Sequence, residues 1–181
     1  MDFATRMETR RSCRAYQDRP VAREDLLKMV QAGRLTPSGC NSQPWKFIVV
    51  DEPQAKAGVC DALVVDTGTG APWRHQVPAF IVLCEMQARV MKMVSDHYGT
   101  TQRFAQGDLG AAAMNMCHQA MELGLDTCIL GMNDQKKLEQ ALGIPEGHTV
   151  RLLVAVGYGA ETRVPPKVRK DFDEVCSFNH W

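Results

Sequence analysis

Near the start of the chain, Arg10-Arg11-Ser12-Cys13-Arg14 gathers three guanidiniums around one hydroxyl. Side chains alternate along an extended chain, so Arg10, Ser12 and Arg14 would share a face with about 7 Å between neighbours. Arginine forks beside a hydroxyl suit phosphate oxygens, and each charge-assisted bond contributes about 1.5–3 kcal/mol. Near the other end, Lys167, Arg169 and Lys170 form a second basic cluster. Taken singly, either cluster is more often a solvated face than a binding site. A third stretch, Pro37-Ser38-Gly39-Cys40-Asn41-Ser42-Gln43-Pro44-Trp45, is a polar loop with a proline near each end. It can offer backbone amides and the Ser38, Asn41 and Gln43 side chains to a flat heterocycle rich in acceptors. It is equally readable as a structural turn.

Other chemistries find no support. The five histidines (His75, His97, His118, His148, His180) have no ligand spacing to one another or to a cysteine. The seven cysteines (Cys13, Cys40, Cys60, Cys84, Cys117, Cys128, Cys176) form no CxxC pair. They read as reduced thiols, most of them buried as small hydrophobes. Gly68-Thr69-Gly70 and Gly157-Tyr158-Gly159 both fail as dinucleotide loops, because Trp73 and Thr162 stand where the third glycine belongs. Walker A, GxSxG and HExxH motifs are absent. The 21 basic and 21 acidic side chains balance, so no global field draws a polyanion, and nucleic acid is not an expected partner. No apolar run approaches a membrane span. The N-terminus lacks the features of a signal or transit peptide, and a cytoplasmic location is the expectation.

The elements that must position these groups alternate between helix and strand. Short helical character is expected from Asp2 to Glu8, and a firmer helix from Glu24 to Arg34, with Leu26, Leu27 and Val30 on one side. Thr36-Pro37-Ser38-Gly39 ends it. Trp45–Val50 reads as a strand, Pro53 to about Val65 as a helix, and Asp66–Pro72 as flexible. Ala79–Cys84 is an apolar strand buried on both faces. Asp108 is a candidate N-cap for a long helix, in which Leu109, Ala112, Ala113, Met116, Ala120 and Leu123 recur at helical spacing. Its thin start, Gly110 to Ala113, permits close backbone approach or plain core packing. Cys128–Leu130 is a short strand running into Gly131, Gln135–Leu142 a helix, and Val150–Val156 the last strand. No linker divides the chain, so one α+β domain, a three-layer α/β/α sandwich spanning residues 1–181, is expected.

In this order, RRSCRAY, PSGCNSQPWKFIVV, GDLGAAAMNMCHQAMELGLDTCILG and PPKVRKDFDEV resemble the FMN-dependent nitroreductase family over nearly the whole chain. The resemblance implies a mixed sheet flanked by helices, in a homodimer with two FMN sites at the interface. It places Arg10, Arg11, Ser12 and Arg14 on the FMN phosphate, ribityl chain and pyrimidine edge, with Lys167 and Arg169 completing the phosphate site. Pro37, Ser38, Gly39 and Asn41 would come from the opposite protomer and line the flavin ring. Gly131, with Leu130, would present backbone near flavin N5. The implied activity is ping-pong hydride transfer from NADH or NADPH through FMN to a small organic acceptor, a nitroaromatic or quinone. Reductive dehalogenation, flavin breakdown and non-catalytic flavin binding are the alternatives. The chain departs from the classical members in being shorter between the second strand and the long helix, and in carrying Leu130 where some relatives have an acid.

Overall fold

A computed structural model of the chain describes residues 2–64, 72–161 and 166–181. Helix α1 (Phe3–Thr9) opens with Asp2 as its cap, the carboxylate accepting from the Thr5 amide at 2.9 Å. Helix α2 (Arg23–Arg34) carries Glu24 and Asp25 in its first turn, where acids complement the helix dipole, and buries Leu26, Met29 and Gly33. Strand β1 (Trp45–Val50) follows, then helix α3 (Pro53–Ala62), with proline at its start, where no amide is needed. Strand β2 (Ala79–Glu85), helix α4 (Lys92–Tyr98) and the long helix α5 (Ala105–Glu122) come next. Strand β3 (Asp126–Leu130), helix α6 (Gln135–Leu142), strand β4 (Thr149–Gly157) and a single turn, α7 (Phe172–Val175), complete the described chain.

The sheet runs in the order β1-β2-β4-β3, with every pair of neighbouring strands antiparallel. The expected mixed character is confined to one isolated parallel bridge, Ser12 to Thr127, which lays the arginine-rich segment beside β3. All seven residues of β2 are buried, as a central strand covered on both faces requires. Phe80, Val82 and Cys84 pack with Val59, Cys60 and Leu138 of α3 and α6. Ala79, Ile81 and Leu83 pack with Leu26 and Met29 of α2 and with Leu109, Met116 and Ala120 of α5. Two apolar cores on opposite faces of one sheet make the three-layer α/β/α sandwich.

Three expectations need adjustment. The long helix begins at Ala105, so Asp108 lies inside its first turn and is not its N-cap; Phe104 precedes the helix without a side-chain cap. Helix α4 was not expected at all. The helix after β1 ends at Ala62, and the stretch expected to be flexible lies, apart from Pro72, outside the described residues, as do Val65, Thr162 and Pro165. All seven cysteines are free thiols; five are buried, whereas Cys40 is exposed and Cys176 intermediate.

Candidate functional site

The segment after α1 is held extended along β3: the Cys13 amide donates to the Thr127 carbonyl at 2.9 Å. Alternation along it then separates the arginines. Arg11, its side chain 12% exposed, turns inward to Asp126 at 3.4 Å and also donates to the Glu161 carbonyl. Arg14 stays exposed, its guanidinium 3.5 Å from the Ser12 carbonyl. Arg10 acts electrostatically on Cys117 and His118 of α5, on Cys128 of β3 and on Lys167 of the tail. Arg14 and the Ser12 hydroxyl both act on Cys128 as well, although burial still pushes that thiol's pKa up.

The tail closes on the same place. Lys167 donates its ammonium to the Met7 carbonyl at the end of α1. Desolvation, then the charges of Arg10 and Arg169, push the Lys167 pKa below lysine's ordinary value, with Glu8 opposing them. Two basic clusters from opposite ends of the chain therefore converge. Arg10, Lys167 and Arg169 form the group, with Arg14 sharing the neighbourhood of Cys128 with Arg10, while Arg11 bonds to Asp126 and Glu161.

The Pro37–Pro44 loop carries backbone strain. Cys40, Asn41 and Gln43 all have positive φ, at 54°, 53° and 49°. Asn tolerates this region; for other residues with a Cβ it costs about 1–2 kcal/mol each. The loop is held by its own bonds: the Ser38 hydroxyl accepts from the Gln43 amide at 2.9 Å, and Ser42 donates to the Gly39 carbonyl at 3.1 Å. It is also held from outside. The Gly39 amide donates to both carboxylate oxygens of Asp108, at 3.2 and 3.1 Å. The Ser42 hydroxyl is buried and finds no partner among the described residues.

Pro44 at the entry to β1 and Gly131 at the exit of β3 lie at the same end of the sheet, because the strands are antiparallel. They occupy opposite edges, three strand spacings or about 14 Å apart. The chain thus keeps Pro37, Ser38, Gly39 and Asn41 on one edge and Leu130 and Gly131 on the other. Leu130 ends the ladder opposite Leu153, and a Cβ added at Gly131 would meet only Leu152, at 4.0 Å. The space beside Gly131 is open, so packing within the chain does not require a glycine there. Asp108 and Phe104, which contact Gly39, are not apparent from the sequence, since 69 positions separate Gly39 from Asp108.

An α/β/α sandwich with an antiparallel sheet, a cationic cluster beside its edge strand and a strained polar loop at the far edge defines a class. Residues 7–158 match the Nitroreductase family, and the chain belongs to that family. A provisionally named NADH dehydrogenase/NAD(P)H nitroreductase of Archaeoglobus fulgidus is 34% identical, the match covering 92% of this chain and 87% of that protein. An iodotyrosine deiodinase of Haliscomenobacter hydrossis is 28% identical over 91% of this chain and 83% of its own. Among solved structures, an FMN-dependent nitroreductase of Clostridium difficile R20291 superposes with a TM-score of 0.75 at 26% identity, covering 99% of this chain and 100% of that one. No helix among the described residues is long and apolar enough to cross a membrane.

Proposed function

We propose that the chain is an FMN-dependent NAD(P)H oxidoreductase that works as a homodimer and reduces a small organic acceptor. The observation that carries this reading is the convergence of Arg10, Lys167 and Arg169. These three cations lie close enough for Arg10 and Arg169 to add to desolvation in lowering the Lys167 pKa, and such a cluster suits an anion. A phosphate fits that cluster, and a flat ring with several acceptors fits the exposed Asn41 and Gln43 of the strained loop. Arg10, Arg14, Lys167 and Arg169 would hold the phosphate, and Ser12 the polar chain that follows it. Arg11 would keep this segment seated on Asp126. The position of Pro44 and Gly131 on opposite edges supports an arrangement in which the Pro37, Ser38, Gly39 and Asn41 loop would serve the flavin of the partner, while Leu130 and Gly131 would line the protomer's own.

The dimer reading draws on exposed apolar surface. Phe3 and Met7 of α1, and Phe172, Val175, Phe178 and Trp181 of the tail, are all exposed in the single chain. On α5, Cβ atoms added at Gly107 and Gly110 would meet nothing within 4 Å. A second copy laid along that thin helix would cover both features.

Bound FMN would supply the hydride chemistry between NADH or NADPH and the acceptor. The protein's part is to bind the phosphate through its cations and to leave room over the ring beside Gly131. No side chain of the cluster need exchange a proton with the acceptor, because the open site admits water. The similarity to an iodotyrosine deiodinase supports a second reading, reductive dehalogenation, at the same site. The test is the visible spectrum of the FMN-reconstituted protein before and after anaerobic NADH or NADPH. Bleaching supports the oxidoreductase reading, and product analysis with nitro, quinone and halogenated acceptors then separates the two chemistries. Bound flavin that neither donor reduces counts against an NAD(P)H-dependent enzyme.

A further inference from the structure

We propose that Asp108 is a positioning residue, acting with Phe104 just before the start of α5 to fix where the Pro37–Pro44 loop lies against the flavin. This rests on the flavin reading given above. The Gly39 amide is the point of grip. It faces both oxygens of Asp108, at 3.2 and 3.1 Å, while a Cβ at Gly39 would stand 2.7–3.0 Å from three atoms of Phe104. Phe104 has helical backbone at the N-cap position, and residues four apart on a helix share a face, so the start of α5 supplies both the acceptor and the surface on which Gly39 rests. Only a glycine leaves space for that contact.

The loop requires this support at its Gly39 end: the Met86 amide donates to the Pro44 carbonyl at 3.0 Å and ties the other end to the exit of β2. Ser38, Gly39, Asn41 and Gln43 bond to one another, and these bonds hold the shape around the three positive-φ residues. They do not set its position relative to the sheet. At Gly39 Asp108 does, from the first turn of an 18-residue helix, where the dipole favours an acid. The Phe104 ring is itself placed by the edge of Tyr98 at 5.8 Å, and the Arg103 guanidinium lies 5.1 Å over Tyr98. The clamp therefore links the loop to the end of α4. A shift of Asp108 or Phe104 would move the Ser38 and Asn41 side chains together relative to a bound ring.

The experiment compares wild type, Asp108→Asn, Asp108→Ala and Phe104→Leu as full-length FMN-reconstituted proteins. FMN affinity, the visible circular dichroism of the bound flavin, and kcat and KM for NADH are the readouts, with the melting temperature of the flavin-free protein as control. Asp108→Ala is expected to weaken FMN binding about tenfold, the loss of one charge-assisted bond. It should also alter the flavin dichroism and lower kcat more than it raises KM. Asp108→Asn, which keeps one acceptor oxygen for Gly39, is expected to recover most of each loss. Phe104→Leu should change the dichroism in the same sense. Wild-type affinity, dichroism and kcat in Asp108→Ala would overturn the proposal, whatever the melting temperatures, and wild-type values in Phe104→Leu would overturn the part given to Phe104. Equal loss in Asp108→Asn and Asp108→Ala would also overturn it, since helix charge and not the Gly39 bond would then be responsible. Failure of the wild-type chain to take up FMN overturns the flavin reading and the proposal with it; an unchanged Asp108→Ala holoenzyme overturns the proposal alone.

Discussion

Lys167 reaches back across 160 positions to donate its ammonium to the Met7 carbonyl, and this contact brings the tail to Arg10. Crowded cations raise the free energy of the flavin-free protein until an anion joins them. Lys167→Ala is expected to weaken FMN binding by about 10- to 100-fold, the worth of a charge-assisted bond. Phosphate should raise the melting temperature of the flavin-free wild type more than chloride at equal ionic strength, and this gain should shrink in the variant. Calorimetric titration with FMN and thermal melts in the two salts check both; affinity within twofold of wild type would remove Lys167 from the site.

Arg14 and Arg11 are three positions apart and have opposite expected phenotypes. Arg14 is exposed and has no ion pair among the described residues, so Arg14→Ala should weaken FMN retention strongly and leave the melting temperature of the flavin-free protein nearly unchanged. Arg11 is mostly buried against Asp126 and the Glu161 carbonyl. Arg11→Ala should lower stability by about 1–3 kcal/mol, as expected when a charged hydrogen-bonded group is removed. Urea unfolding and FMN titration of both variants separate the two roles, and identical profiles would contradict the division.

The difference between these two arginines also marks what the sequence can convey. Alternation along an extended run separates Arg11 from Arg10, Ser12 and Arg14, but the run does not reveal that Asp126 and Glu161 are waiting for it. Elements with a strong apolar pattern are legible: Trp45–Val50 and Gln135–Leu142 fall where periodicity and breakers put them. Helix α4 buries no residue, so it has no apolar stripe to announce it. Asp108 reads as a cap because an acid before Leu109 is the usual local signal. Its carboxylate instead serves Gly39, 69 positions away, a contact that no local spacing encodes. The two basic clusters are visible separately, and only the fold places them side by side.

Glu85, at the end of β2, is a case that no motif flags. Its side chain is 8% exposed and accepts from Arg151 and, at 2.7 Å, from the Gln102 amide. Gln102 in turn accepts from the Ala88 amide at 2.6 Å and donates to the Met86 carbonyl at 3.1 Å. The three side chains fasten the connection that carries α4. Arg151 keeps 37% exposure and stays hydrated without its partner, which limits the penalty. Glu85→Ala is expected to cost about 1–3 kcal/mol in urea unfolding. Amide exchange should accelerate first in residues 86–104; a uniform change across the chain would show that Glu85 does not act as a local latch.

His118 gives the pH dependence a defined sign. It lies on α5 with Phe3 of α1 at 5.3 Å between ring centroids, and its Nδ1 is buried without a partner among the described residues. Burial first, then repulsion from Arg10 and Arg6, push its pKa below the ordinary 6.5. Arg6 is partly offset by its ion pair with Glu122. Between the folded and unfolded values the unfolded chain binds more protons, so stability rises with pH there. The contribution of neutral His118 is fully present above about 6.5 and is lost as pH falls below that value toward the folded one. Unfolding free energies measured from pH 8 to pH 5 should therefore fall more steeply in wild type than in His118→Leu. A phosphate bound beside Arg10 offsets part of the repulsion, so the FMN-loaded protein should show the shallower wild-type slope. Parallel slopes for wild type and His118→Leu without flavin would mean that other groups carry the acid sensitivity of the fold.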